Sequence, residues 1–257
     1  MKMKHRYIAI IPARYASTRF PGKPLALLGG KPIVQRVYER VKASFDYTVV
    51  ATDDERIGEC VAGFGGNVVM TGTHHRSGTD RCMEALTKVG GGYDVVVNVQ
   101  GDEPFIHGEQ LEALKHCFDA PDTQIATLVK PFEPADGLER LENPNSPKVV
   151  VSPAMRALYF SRSVIPYLRN CPKEEWLANH VFYKHIGLYG YTAATLAEII
   201  RLEPSPLELA ESLEQLRWLE NGYNIKVGIT RRETIGIDTP ADLARAEAYL
   251  TRNDEKS

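Results

Sequence analysis

Cysteine is scarce in this chain: Cys60, Cys82, Cys117 and Cys171 are the only four in 257 residues, separated by 22, 35 and 54 positions. That spacing contains no C-x-x-C pair, which excludes the usual zinc and thiol-exchange motifs and marks the four as buried thiols of a reducing compartment. Long apolar runs are missing too. None approaches the ~18 residues of a membrane span, and Met1 to Arg6 lead into a short strand instead of a signal-peptide core. The expected address is cytoplasmic, without membrane contact. Nor does one sign of charge dominate: 31 Lys and Arg stand against 33 Asp and Glu, a net −2. This balance gives no bulk attraction for nucleic acid or anionic lipid, so an anionic ligand must be held by a local cluster. With 43% hydrophobic and 25% charged residues, the chain has the composition of a folded globular protein.

What is present is alternation. Strand-like apolar runs at Tyr7 to Ile11, Tyr47 to Ala51, Asn67 to Met70, Asp94 to Val99 and Ile125 to Val129 are interleaved with helix-period stretches. Those stretches are Pro32 to Ser44, Asp54 to Phe64, Thr79 to Lys88 and Glu109 to Phe118. The pattern predicts an α/β fold, doubly wound, with a mostly parallel but mixed sheet and helices on both faces. Continuous runs such as Val95-Val96-Val97 fit strands covered on both sides. Between about 131 and 183 the prolines and short strand candidates, Lys148 to Val151 and Ala157 to Phe160, predict a small β-rich insertion and a possible dimerisation region. A strand at Lys184 to Tyr191 followed by two helices, one of them at Leu207 to Asn221, then a strand at Asn224 to Thr230 and a helix from Pro240 to Leu250, complete the chain. No linker or repeat divides it, so residues 1–257 are expected to form one domain.

Ligands of open α/β sheets sit beyond the carboxyl ends of strands, which directs attention to the loop Arg14-Tyr15-Ala16-Ser17-Thr18-Arg19-Phe20-Pro21-Gly22-Lys23-Pro24. Three cations, Arg14, Arg19 and Lys23, with hydroxyls including Ser17, suit a polyphosphate. The loop is not a Walker A motif, because Pro24 follows Gly22-Lys23 where Ser or Thr is required. No G-x-G-x-x-G follows the first strand either, which argues against a nicotinamide or flavin enzyme.

A second strand end carries Gln100-Gly101-Asp102-Glu103-Pro104, and a third the segment Ile235-Gly236-Ile237-Asp238-Thr239-Pro240. A triphosphate calls for a hard divalent cation with oxygen ligands. Magnesium normally takes one or two protein carboxylates, here Asp102 and Asp238. Asp238 also has the position of a helix cap. Two acids and a cationic loop point to phosphoryl or nucleotidyl transfer. In His74-His75-Arg76-Ser77-Gly78-Thr79-Asp80-Arg81 a helix opens with hydroxyls and cations, and Ser77 or Thr79 is its cap. The two histidines have no third ligand near them in sequence and receive no metal role. On the Leu207 to Asn221 helix, Leu209, Leu213 and Leu216 form a core stripe, while Glu211 and Gln215 share a face that could grip sugar hydroxyls.

The ordered segments Ile11 to Pro24, Ser77 to Arg81 and Asn98 to Pro104, followed by Tyr159-Phe160-Ser161-Arg162, His185 to Tyr191, Leu213 to Arg217 and Ile237 to Pro240, closely resemble the 3-deoxy-manno-octulosonate (Kdo) cytidylyltransferases, also called CMP-Kdo synthetases. The similarity spans residues 7 to 250 and implies a nucleotidyltransferase, Rossmann-like fold. It implies a cytoplasmic homodimer that transfers CMP from CTP to the anomeric hydroxyl of Kdo, releasing pyrophosphate, for lipopolysaccharide biosynthesis. By motif, Arg14, Ser17, Arg19, Lys23, Ser77, Gly78, Thr79, Arg81 and Gln100 would bind CTP. Gln100, Arg162, His185, Tyr189, Glu214 and Gln215 would bind Kdo, Glu214 displacing the Glu211 suggested by helix spacing. Asp102 and Asp238 would hold Mg2+ and, with Lys23 and Arg14, form the catalytic group.

The local departures are Arg76, where a neutral residue is usual, and Tyr167, where Trp is frequent. Leu168 to Asn179 matches no motif and reads as an exposed or dimer-side loop. A cytidylyltransferase for another acid sugar, such as 8-amino-Kdo or a sialic acid, is the nearest alternative. A non-catalytic nucleotide-sugar binder is the contrasting one, and the paired acids argue against it.

Overall fold

The computed structural model describes residues 5–233 and 236–254, so Ile235 of the third strand-end segment lies outside the described residues. By packing, the described residues divide into two compact units, one drawn from residues 5–111 and 236–254 and the other from 112–233.

In the first unit, β1 (Tyr7–Ala13) lies between β4 (Thr48–Thr52) and β6 (Val95–Asn98), and β5 (Val68–Met70) extends the sheet beyond β4; every pairing is parallel. Ile8, Ile10 and Ile11, Val49 to Ala51, and Val95 to Val97 are all buried, as expected of strands covered on both faces. A two-residue hairpin, β2 (Leu27–Leu28) with β3 (Lys31–Pro32), precedes α1 (Ile33–Lys42). Pro32 is therefore the residue before the helix, with ψ 141°, and not part of its first turn. The helices α1, α2 (Glu55–Gly63) and α3 (Gly78–Val89) pack on this sheet. The C-terminal helix, Pro240–Asp254, belongs to the same unit. Within α4 (Gly108–Cys117) the chain passes into the second unit.

The second unit is built on β7 (Ile125–Pro131), with β11 (Ile225–Ile229) parallel to it and β10 (Tyr183–Thr192) antiparallel. A bulge between Ile186 and Tyr189 interrupts the β10 register. Two further antiparallel strands, β8 (Lys148–Val151) and β9 (Ala157–Ser161), make the sheet mixed. The expected β-rich insertion thus contains these two strands, but it also contains α5 (Gly137–Glu142) and α6 (Trp176–Asn179). Phe132, Leu141, Trp176 and Phe182 form a small core there, with Leu168, Cys171 and Leu177 packed against it. Leu168 to Asn179 is accordingly a folded segment anchored by Trp176, although most of its residues are exposed as expected.

The single helix expected from Leu207 to Asn221 is two helices. After α7 (Ala193–Ile199), α8 (Pro206–Glu211) stops at Ser212, whose φ of 51° and ψ of 48° are left-handed, and α9 (Glu214–Glu220) starts afresh. The periodicity is broken at that point, so Leu213 and Leu216 are buried while Leu209 is 69% exposed. The expected core stripe fails at Leu209, and Glu211 and Gln215 do not share a helix face. The four cysteines are thiols, not disulfides, yet only Cys82 and Cys117 are buried, Cys60 and Cys171 being partly exposed. Among the described residues no helix is long and apolar enough to cross a membrane.

Candidate active site

The first unit gathers the phosphate loop and both acids in one cavity of about 330 Å³ beyond the ends of its strands. Arg14, Arg19, Lys23, Arg76 and Arg81 line it together with Asp102 and Asp238, so five cations face two carboxylates. Ser17, Ser77, Gly78 and Gln100 complete much of the remaining wall. Such a surplus of positive charge suits a polyanion whose own charge exceeds that of the two acids.

Backbone geometry brings these stretches together. Gly22 adopts φ 69°, and its N–H donates to the Tyr15 carbonyl at 2.9 Å. A Cβ there would meet the Tyr15 ring at 3.0 Å, and the Arg56 guanidinium covers that ring at 3.4 Å. The loop is thereby folded back on itself, leaving Lys23 only 13% exposed at its side chain. At the end of β6, a Cβ on Gly101 would lie 2.7 Å from the Pro12 carbonyl oxygen. Only glycine allows this approach, which delivers Asp102 beside the loop after β1. The Ile237 N–H donates to the Asp102 carbonyl at 2.9 Å, tying the Asp238 segment to the turn after β6; residues 236–238 are not strand, so Asp238 precedes the last helix without following a strand end.

Lys23 Nζ donates to Asp102 Oδ2 at 2.5 Å and to Asp238 Oδ1 at 3.3 Å; Arg19 Nη2 reaches the same Asp238 oxygen at 3.1 Å. The cap of the last helix falls to Thr239, whose Oγ1 accepts the Asp242 N–H at 3.2 Å while Asp242 Oδ2 accepts the Thr239 N–H at 2.8 Å. Asp238 is thus released from capping and its carboxylate turns to Lys23. On α3 the cap is Ser77, in a capping box with Asp80, and Thr79 is buried instead. Arg81 is also buried. Its guanidinium donates to Asp53 at 2.8 Å and to Thr71 Oγ1 at 2.6 Å, so much of its charge is already compensated within the wall. Asp53 had no place among the sequence candidates, although it directly follows β4; the strand-end rule applied to that strand finds it.

The expected acceptor-binding residues other than Gln100 belong to the second unit. His185 packs edge-on to Phe160 at 5.1 Å and against Tyr189 at 5.3 Å, and Tyr189 meets Trp218 edge-on at 5.2 Å. Burial pushes the His185 pKa down to about 3, leaving the ring neutral. Thr127 Oγ1 lies 3.0 Å from His185 Nε2, with the Leu188 and Ile186 carbonyls at 2.9 and 3.2 Å from the same hydroxyl. Burial also raises the Tyr189 pKa well above the usual phenol range, so this group is neutral as well.

Gln215 is 5% exposed, and its Nε2 has no hydrogen-bond partner among the described residues, a buried donor that an incoming oxygen could satisfy. Glu214 is paired with Arg217 at 2.9 Å. Arg162 is held by carbonyls: Nε donates to Glu211 at 2.6 Å, Nη1 to Pro144 at 2.9 Å and Nη2 to Ser212 at 3.2 Å. The Glu211 carboxylate accepts from Ser161 Oγ and the Arg162 N–H, so Glu211 anchors the strand end that carries Arg162.

Comparison with known proteins places this geometry. The family model described as "Cytidylyltransferase" matches residues 8–229. The chain is 70% identical to 3-deoxy-manno-octulosonate cytidylyltransferase of Phocaeicola vulgatus, over 97% of the chain and 99% of the relative. It is 65% identical to that of Parabacteroides distasonis, over 95% and 98%. It is also similar to a solved structure of CMP:2-keto-3-deoxy-manno-octonic acid synthetase in complex with CTP, with a TM-score of 0.87 and 40% identity over 96% of this chain and 99% of that one. The mostly parallel, mixed α/β architecture expected from the alternating pattern is therefore this enzyme fold, and the chain belongs to the 3-deoxy-manno-octulosonate cytidylyltransferase family.

Proposed function

We infer that this enzyme transfers the CMP group of CTP to the anomeric hydroxyl of Kdo, giving CMP-Kdo and pyrophosphate for lipopolysaccharide biosynthesis. The observation that carries the reading is the cavity in which Arg14, Arg19 and Lys23 face Asp102 and Asp238. Arg14 and Arg19 bind the phosphates by charge-assisted hydrogen bonds. Lys23 neutralises charge that builds on the departing pyrophosphate. Ser77 and Gly78, at the N-terminus of the twelve-residue helix α3, add backbone donors for the nucleotide.

Asp102 and Asp238 fit a magnesium ion: two hard oxygen donors converge on one ammonium group, so the site already demands positive charge at that point. When bound, magnesium would supply Lewis-acid polarisation of the reacting phosphate. In-line attack by the acceptor hydroxyl needs no covalent enzyme intermediate. For the acceptor, the neutral His185 and Tyr189 supply uncharged hydrogen-bonding groups, and Gln215 supplies a donor. Arg162 sets the conformation of the strand end beside Glu211 and brings positive charge toward the sugar carboxylate. A homodimer and a cytoplasmic address belong to the same reading, supported by the resemblance of the sequence to the family.

The test is pyrophosphate release with magnesium, each of the four nucleoside triphosphates, and Kdo, 8-amino-Kdo or a sialic acid as acceptor. CTP with Kdo is expected to give the highest kcat/KM. A preference for another base or another acid sugar would replace the assigned substrate while leaving the reaction class in place.

A further inference from the structure

The residues set aside in the sequence as lacking a third ligand have one in space. His74 lies in the turn after β5 and His75 follows it, and their rings lie 4.5 Å apart. Glu84 projects from α3, and one ligand atom from each of the three side chains falls within 4.8 Å of the other two. The contact between His75 Nε2 and Glu84 Oε2 is already closed. The Glu84 carboxylate is oriented on both oxygens: Oε2 accepts the Gly72 N–H at 2.9 Å, and Oε1 pairs with Lys88 at 2.7 Å.

The seat for the remaining imidazole is a missing side chain. A Cβ on Gly72 would lie 2.4 Å from His74 Cε1 and 2.5 Å from Nδ1, so the ring occupies space that only glycine leaves open.

We propose that His74, His75 and Glu84 form a binding site for a transition-metal dication of the Zn2+ type. Two imidazoles and one carboxylate are the donor set such ions prefer, whereas magnesium takes oxygen ligands and would not select it. Tetrahedral zinc at about 2.0–2.1 Å from its ligands separates their atoms by about 3.3 Å. The exposed His74 ring closes the distance on its side, while the hydrogen-bonded His75 and Glu84 part slightly to admit the ion between them. The fourth position stays open to water. His75 also lines the nucleotide cavity, so an ion held here fixes one wall of that cavity. The proposal does not depend on which sugar the enzyme uses, and its readout is metal binding.

The experiment titrates Co2+ into the untagged full-length chain after chelator treatment and dialysis, alongside His74→Ala and Glu84→Gln. One equivalent should bind with the intense visible bands of four-coordinate cobalt, be displaced by Zn2+ and persist in excess Mg2+. Loss of second-shell partners alone weakens metal binding by about 10–100-fold, so removing a ligand in His74→Ala should cost at least about tenfold. The exposed position of His74 keeps the metal-free melting temperature of that variant at the wild-type value, which separates lost binding from lost folding. Cobalt that retains the weak spectrum of the hydrated ion, or a His74→Ala chain that binds as tightly as wild type, overturns the proposal.

Discussion

Glu211 and Arg162 hold each other at both ends: the Glu211 carboxylate accepts the Arg162 N–H at 2.9 Å, and the Arg162 guanidinium returns to the Glu211 carbonyl at 2.6 Å. A glutamate at the end of one short helix thus fixes an arginine at the end of β9. Replacing Glu211 by Ala leaves Ser161 Oγ and the Arg162 N–H without their acceptor. The expected loss is about 1–3 kcal/mol of unfolding free energy in a urea titration. The KM for Kdo should rise while that for CTP stays close to wild type. A larger change for CTP would assign this clasp to the nucleotide.

Asp102→Asn keeps the shape of the side chain and removes its charge. Turnover should fall by about 10²-fold or more, since an electrostatic group at the reacting phosphate is lost. Lys23 retains Asp238 at 3.3 Å, so the melting temperature should stay within a few degrees of wild type. Pyrophosphate release at a near-normal rate would remove Asp102 from the metal-binding pair.

Gly101→Ala tests the close approach behind the site. The new methyl would be 2.7 Å from the Pro12 carbonyl, so β1 and the turn after β6 must separate. A cost of about 1–3 kcal/mol is expected, measured by urea denaturation, with a drop in kcat as Asp102 moves away from the phosphate loop. Unchanged stability would mean that the turn can shift freely.

His185 supplies a pH dependence with a definite sign. Its pKa is about 3 when folded against the ordinary 6.5, so the unfolded chain takes up a proton that the folded chain refuses. Its contribution to stability is complete above pH 6.5 and is lost as pH falls toward 3. Between pH 6.5 and the carboxylate range, wild-type stability should decline with falling pH, and His185→Gln should flatten that decline. Parallel profiles for the two proteins in thermal melts would show that the imidazole is protonated without penalty.

The strand-end loops and the approximate places of most helices were legible because they depend on local order, although exact helix starts were not. Val95 to Val97 had to be a covered strand, and the acids and cations that follow strands had to emerge on one side of a sheet. The break at Ser212 was not legible. Leu209, Leu213 and Leu216 keep helical spacing across it, and a serine carries no signal that it will adopt a left-handed conformation. Glu211 was found by helix spacing and proved to be a support for Arg162, a role that depends on β9 being alongside.

The amino-acid order alone determined the alternating α/β elements, the cationic loop from Arg14 to Lys23 and the acids at 102 and 238, because backbone propensity and hydrophobic period act over a few residues. Tertiary structure decided the rest. Lys23 and its two aspartates are 79 and 215 positions apart, and Glu84 reaches His75 from the next helix. Contacts of that kind are made by chain crossings and by the space that Gly101 and Gly72 leave empty, and no local pattern of residue types encodes where such crossings meet.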